Sequence, residues 1–92
     1  MEVLSLHSSN FNIFIGDFNV NWLNEKEKMP LQNFFIQENK YRQLISLFTT
    51  DNRTTIDHIY TNLPQSQVSV QLLETYFSDH KGICLVAHFT QS

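Results

Sequence analysis

Asp17 and Asn19 stand two residues apart at the end of "NIFIGDFNVNW", residues 12–22, directly after Gly16. In an extended chain, residues at i and i+2 project to the same face. An acid and an amide would therefore point together where an apolar run stops. Asp57 sits in "TIDHIY" with an isoleucine on each side. A carboxylate inside a segment built for burial costs several kcal/mol unless it is paired. Asp79 and His80 are adjacent in "FSDHKG", just before the apolar run "ICLVAHF". Three separated segments thus offer carboxylates, and the last also offers an imidazole. Brought to one rim of a sheet, they would make a site. Carboxylates, an amide and a His suit a hard divalent cation, Mg²⁺ or Mn²⁺, bound through oxygen. Zinc is a poor match, because no Cys–His spacing is present.

Each residue also has a plainer reading. Gly, Asp and Asn are turn formers, so "GDFN" alone could be a turn. Asp57 could cap a neighbouring loop. Asp79 could serve only its turn, and a lone His80 is more often a satisfied polar group than a catalyst. His7, His58 and His88 are read as structural, with His58 directed away from Asp57 on its strand. Cys84 is read as a small buried hydrophobe. Trp22 could stack on a base or pack in the interior. Phe34 and Phe35 are read as core.

The elements that must hold these residues follow from the hydrophobic pattern. Residues 3–6 read as the last turn of a helix, and "SSN" at 8–10 as a loop. "FNIFI", 11–15, is a strand apolar on both faces, as in a sheet covered on both sides. "NEKEK", 24–28, is a solvated charge run. Pro30 suits a first helical turn, and Leu31, Phe34, Phe35 and Glu38 keep helical spacing, so 30–39 is a short amphipathic helix. "YRQLISLF", 41–48, reads as a strand and "TTDNR", 49–53, as a turn. "TTIDHIYT", 54–61, is a β-branched and aromatic strand. "VSVQLLETY", 68–76, begins with strict alternation, and 83–89 is a second strand apolar on both faces. The expected class is α+β: a sheet of about five strands with one short helix. One such helix cannot cover both faces of that sheet. Val68, Val70, Leu72, Ile83, Leu85 and Phe14 are therefore expected to leave an open apolar face.

Composition sets outer limits. The 92 residues suffice for one small domain, with 41% hydrophobic residues and eight Phe arguing against disorder. The net charge of −3 leaves no basic footprint for nucleic acid. A polyanionic partner would need positive charge from elsewhere, such as a metal. One cysteine excludes an internal disulfide framework, and a reducing compartment is the simplest reading. The start "MEVLSLHSS" lacks the basic and apolar regions of a signal peptide. No apolar run approaches the ~20 residues of a membrane helix. The chain is accordingly expected inside the cell, in cytoplasm or nucleus, away from membranes.

Taken together and in order, "IFIGDFN", then "TIDHIYTN" about forty residues on, then "YFSDHKGICL" about twenty further, resemble the second half of the endonuclease/exonuclease/phosphatase superfamily. The similarity is greatest to the endonucleases of LINE-type (non-LTR) and Helitron-like mobile elements, with "QLI" at 43–45 and the following "TT" adding to it. It spans roughly residues 11–89.

The resemblance implies roles residue by residue. Asp17 would orient the attacking water or serve the leaving oxygen. Asn19 would hydrogen-bond the scissile phosphate. Asp57 would fix the tautomer of His80, which would be a phosphate ligand or general base. Asp79 would be a metal-site carboxylate. The implied reaction is Mg²⁺-dependent hydrolysis of a DNA phosphodiester. The implied fold is half of a four-layer αββα sandwich, with residues 1–92 forming one partial domain. The superfamily's first half, with its metal-binding Asn and Glu, has no counterpart here. The expected partners are DNA and either the missing half or a second copy meeting the uncovered sheet. Two other readings compete: a domesticated or decayed fragment acting as a non-catalytic interaction module, and a phosphomonoesterase of the same superfamily.

Overall fold

A computed structural model describes residues 2–7, 11–75 and 78–87. The expected loop at 8–10, residues 76 and 77, and His88 at the end of the expected last strand lie outside them. The chain is α+β, with six strands in two sheets: β1 (Glu2–His7), β2 (Asn12–Asp17), β3 (Arg42–Gln43), β4 (Asp57–Thr61), β5 (Val68–Leu73) and β6 (Gly82–Ala87). β1, β2, β4 and β3 form an antiparallel sheet in that order, and β5 with β6 forms an antiparallel hairpin. Residues 3–6 are therefore strand and not a helical turn. Leu4 and Leu6 alternate with Val3 and Ser5, a period of two that a strand satisfies.

The expected helix begins earlier than its apolar spacing suggests. Asn24 caps it, its side-chain oxygen accepting from the amides of Lys26 at 3.0 Å and Glu27 at 3.1 Å. The acidic residues of "NEKEK" thus sit in the first turn of α1 (Glu25–Leu31), where they favour the helix dipole. Pro30 lies inside α1 rather than at its start. It has no N–H for the ladder, and directly beyond it the winding widens to a π-helical stretch, Gln32–Glu38. Phe35 turns into the core, whereas Phe34 is exposed.

β3 is much shorter than 41–48. The Gln43 side chain both accepts from the Ile45 amide and donates to the Ile45 carbonyl, at 2.5 and 2.6 Å. Those backbone groups then need no strand partner. The strand at 54–61 likewise keeps regular pairing only from Asp57 onward, because loop groups take the earlier amides: Asn21 Oδ1 for Thr55, and Thr49 Oγ1 for Ile56.

The two sheets and the helix make three layers. Ile13, Ile45, Ile59 and Leu63 form one buried cluster, against which Val68, Val70, Leu72, Ile83, Leu85 and Ala87 of the hairpin pack. Phe18, Phe35 and Tyr60 form the cluster on the other side, joined by Phe14, Trp22, Leu31 and Tyr41. The Phe35 and Tyr60 rings stack at 3.9 Å between centroids and 10°. The expected open face is thus taken up within the chain: Val68, Val70, Leu72, Ile83 and Leu85 pack on the larger sheet, and Phe14 packs on its other side. The single sheet of about five strands gives way to two: β2, apolar on both faces, is covered on both, whereas β6, expected to be covered likewise, leaves Val86 exposed on its outer face. Cys84 falls on the outer face of β6 and is exposed, not buried.

Candidate active site

Antiparallel register places Asp17, the last residue of β2, directly across from Asp57, the first residue of β4. Cross-strand partners share a face, here the one that carries Ile13, Ile15 and Ile59 and meets the hairpin. Gly16, with φ 154°, brings the chain to this point in a conformation that L side chains rarely adopt. Past Asp17 the strand ends. Asn19 takes a left-handed conformation, φ 53°, which Asn tolerates. Its backbone N–H donates to Asp17 Oδ1 at 2.8 Å. The extended i, i+2 geometry does not hold here: Asn19 is exposed and meets Asp17 through its backbone rather than its carboxamide. Phe18, between them, is buried and lies flat on His58, with ring centroids 5.2 Å apart.

Two carboxylates facing each other across a ladder repel. His80, which lies in neither sheet, relieves this. Its Nδ1 donates to Asp57 Oδ2 at 2.8 Å, from the segment between β5 and β6. That bond, chiefly, raises the His80 pKa above its ordinary value of 6.5, with partial burial opposing and the charges of Asp57, Asp79 and Asp17 assisting. With Nδ1 engaged, Nε2 is the ring nitrogen left for a ligand. One atom each from Asp17, Asp57 and His80 come within 4.8 Å of one another. Asp79 is exposed and is not part of that group among the described residues.

His80 is held in place by the segment at 49–51. Thr50 bridges to His80, the Asp51 amide donates to the Asp79 carbonyl at 2.9 Å, and the Lys81 amide donates to the Thr49 carbonyl at 2.8 Å. Thr49 is fully buried, and its Oγ1 accepts from the amides of Ile56 at 3.2 Å and Asp57 at 3.3 Å. One threonine therefore ties the backbone of Asp57 to the segment bearing His80. The available signal was the doubled pair, Thr49–Thr50 and Thr54–Thr55, around "DNR". Thr49–Thr50 reads as turn and Thr54–Thr55 as strand, and neither reading hints at a partner more than twenty residues away.

His58 behaves as a structural residue. Its Nε2 donates to the Thr55 carbonyl and its Nδ1 accepts from the Tyr60 hydroxyl, each at 2.8 Å. Burial pulls its pKa down from 6.5, and burial likewise raises that of Tyr60. Trp22 packs edge-on against both rings, with Lys28 Nζ 5.2 Å from its centroid. The His7 ring bonds Asn12. No described helix is long and apolar enough to cross a membrane.

Chemically, the donor set offers two carboxylates and an imidazole already committed to one of them. This suits a hard cation only in part. Mg²⁺ prefers near-octahedral oxygen and commonly takes one or two carboxylates, with water and substrate phosphate completing the shell. Oxygens of Asp17 and Asp57 not used by Asn19 and His80 fit that pattern. Comparisons with protein-family models, with curated proteins and with solved structures found no match.

Proposed function

We propose that this chain carries the catalytic rim of a metal-dependent endonuclease that hydrolyses DNA phosphodiesters, as its resemblance to the mobile-element endonucleases implies. The supporting observation is the 2.8 Å bond from His80 Nδ1, in the segment between β5 and β6, to Asp57 of β4, with Asp17 facing Asp57. A carboxylate that holds one imidazole nitrogen fixes the tautomer and direction of the other, as in other hydrolases. His80 Nε2 then points at a phosphate oxygen. Because Asp57 favours the imidazolium, His80 supplies positive charge where negative charge develops. Asp17 receives or orients the proton of the attacking water. Asn19, whose backbone is held by Asp17 at the strand end, bonds the phosphate through its carboxamide in this reading. Mg²⁺ or Mn²⁺, when bound by Asp17 and Asp57, supplies charge neutralisation for a polyanionic substrate on a protein of net charge −3. With so few protein ligands the ion is held weakly, and the chain acts as part of a larger domain.

A supercoiled-plasmid nicking assay with Mg²⁺ tests this. The chain alone is expected to be inactive, and a fusion to the first half of a domain of the resembled type is expected to nick. Nicking by the fusion should depend on Asp17 and His80. His80→Ala and Asp57→Ala together should cost little more than the worse single change, since residues acting as one unit are not additive. A folded fusion whose nicking survives Asp17→Ala and His80→Ala would overturn the mechanism. Nicking by the chain alone, abolished by His80→Ala, would overturn the partial-domain reading.

A further inference from the structure

β1 ends the four-stranded sheet and, among the described residues, is paired on one side only, with β2. Leu4 and Leu6 stand opposite Ile15 and Ile13, so they lie on the face that the hairpin covers elsewhere. The hairpin does not reach them: Leu4 is 58% and Leu6 50% exposed, and neither belongs to the buried cluster. Edge strands are usually protected by lysine, proline or a bulge. "EVLSLH" contains no lysine, arginine or proline, and all six of its residues keep unbroken register with β2.

We propose that β1 is a self-pairing edge, where two copies of this chain join antiparallel across a two-fold axis through Ser5. The choice of occupant rests on register. A two-fold axis perpendicular to the sheet keeps each side chain on its own face, so opposite residues must have the same parity. Centred on Ser5, Leu4 faces Leu6 of the second copy and Leu6 faces its Leu4. All four leucines then meet on one face, in the gap between the two hairpins. Centred on Leu4, Leu6 would face the acidic residue at position 2. Centred on Leu6, Leu4 would face a position beyond the end of β1. The strand is thus complementary to itself in one register. It offers a different partner little charge to recognise.

Six-residue edges and four leucines bury less than the ~1,200 Å² of a standard stable interface. The association is therefore weak and concentration-dependent. It does not rest on the hydrolase reading, because no residue of the candidate site takes part.

Sedimentation velocity over a wide concentration range is the first test. The mass should rise from one chain towards two. Leu6→Lys should hold the protein at one chain at all concentrations, with its far-UV circular dichroism and melting temperature kept. The second test fixes the register and uses a Cys84→Ser background. Directly opposed residues of antiparallel strands lie within disulfide reach. Ser5→Cys should oxidise to a covalent dimer, and Leu4→Cys should do so at least tenfold more slowly. A wild-type protein that stays monomeric throughout would overturn the proposal. So would a dimer that is indifferent to Leu6→Lys, or one that cross-links through Leu4→Cys as fast as through Ser5→Cys.

Discussion

His58 and His80 serve opposite faces of the same sheet and titrate in opposite senses. His58 is buried and neutral in the folded chain, its pKa lowered by burial from 6.5. Below that value the unfolded chain binds a proton that the folded chain resists, so this contribution to stability is present above pH 6.5 and lost as pH falls. His80, raised by its bond to Asp57, does the reverse. Its contribution is full below the unfolded value and disappears as pH rises through the raised folded value. His58 is fully buried while His80 keeps part of its ring in solvent, so His58 should dominate on acidification. Urea unfolding between about pH 8 and about pH 5 should show wild-type stability falling below roughly pH 6.5. His58→Gln should be less stable at pH 8 but should lose nothing further on acidification. His80→Gln should fall more steeply than wild type. The opposite ordering of the two variants would mean that the buried ring accepts its proton without cost.

Among the elements, the segment at 49–51 has the most leverage for its size. It forms no strand of its own, yet it fastens β4 to the hairpin by backbone bonds on both sides of His80. Thr49→Val keeps the shape and removes the acceptor for the Ile56 and Asp57 amides. Leaving a buried donor unsatisfied costs about 1–3 kcal/mol. The expected loss of stability in urea is of that order, and Thr49→Ser should recover most of it. Amide exchange supplies a sharper reading: the Asp57 and Lys81 N–H groups should lose protection together in Thr49→Val, out of proportion to the rest of the sheet. If only global protection falls, Thr49 is an ordinary core residue. The same segment shows where local reading runs short. "TTDNR" is sound turn chemistry, and the turn is there. Nothing in five residues says that their carbonyls and hydroxyls serve amides from two other elements.

At the scale of the whole molecule, stability depends on Ile59. It is fully buried at the centre of the cluster that joins the four-stranded sheet to the hairpin. Ile59→Ala should cost about 2–5 kcal/mol. For a chain of 92 residues, whose total stability is of order 5–15 kcal/mol, that is a large part of the whole. The urea midpoint, followed through the fluorescence of the single Trp22, should drop sharply or the cooperative transition should vanish. Leu73→Ala, at an exposed position, should move it by roughly 0.5 kcal/mol or less. Similar losses in both variants would mean that the hairpin does not share a core with the larger sheet.

What the sequence alone determined is what period and chemistry encode locally. Alternation in "VSVQLL", the two-faced apolar runs around residues 12–15 and 83–87, and the turn-forming Asp17 and Asn19 all act over a few neighbours. They sufficed for an α+β class and for naming the polar residues out of place among apolar ones. Local pattern was weaker where two signals overlap. The acids of "NEKEK" look solvated, which they are, but they also form the first turn of a capped helix. Pro30, taken as a helix start, sits in its interior. Only the tertiary structure decided that the strands divide into two sheets, because which strand covers which depends on contacts between separate elements of the chain. Only it set Asp17 against Asp57 and brought His80 to them. Register is a property of two strands together, and a carboxylate's partner across a ladder is written in neither strand alone.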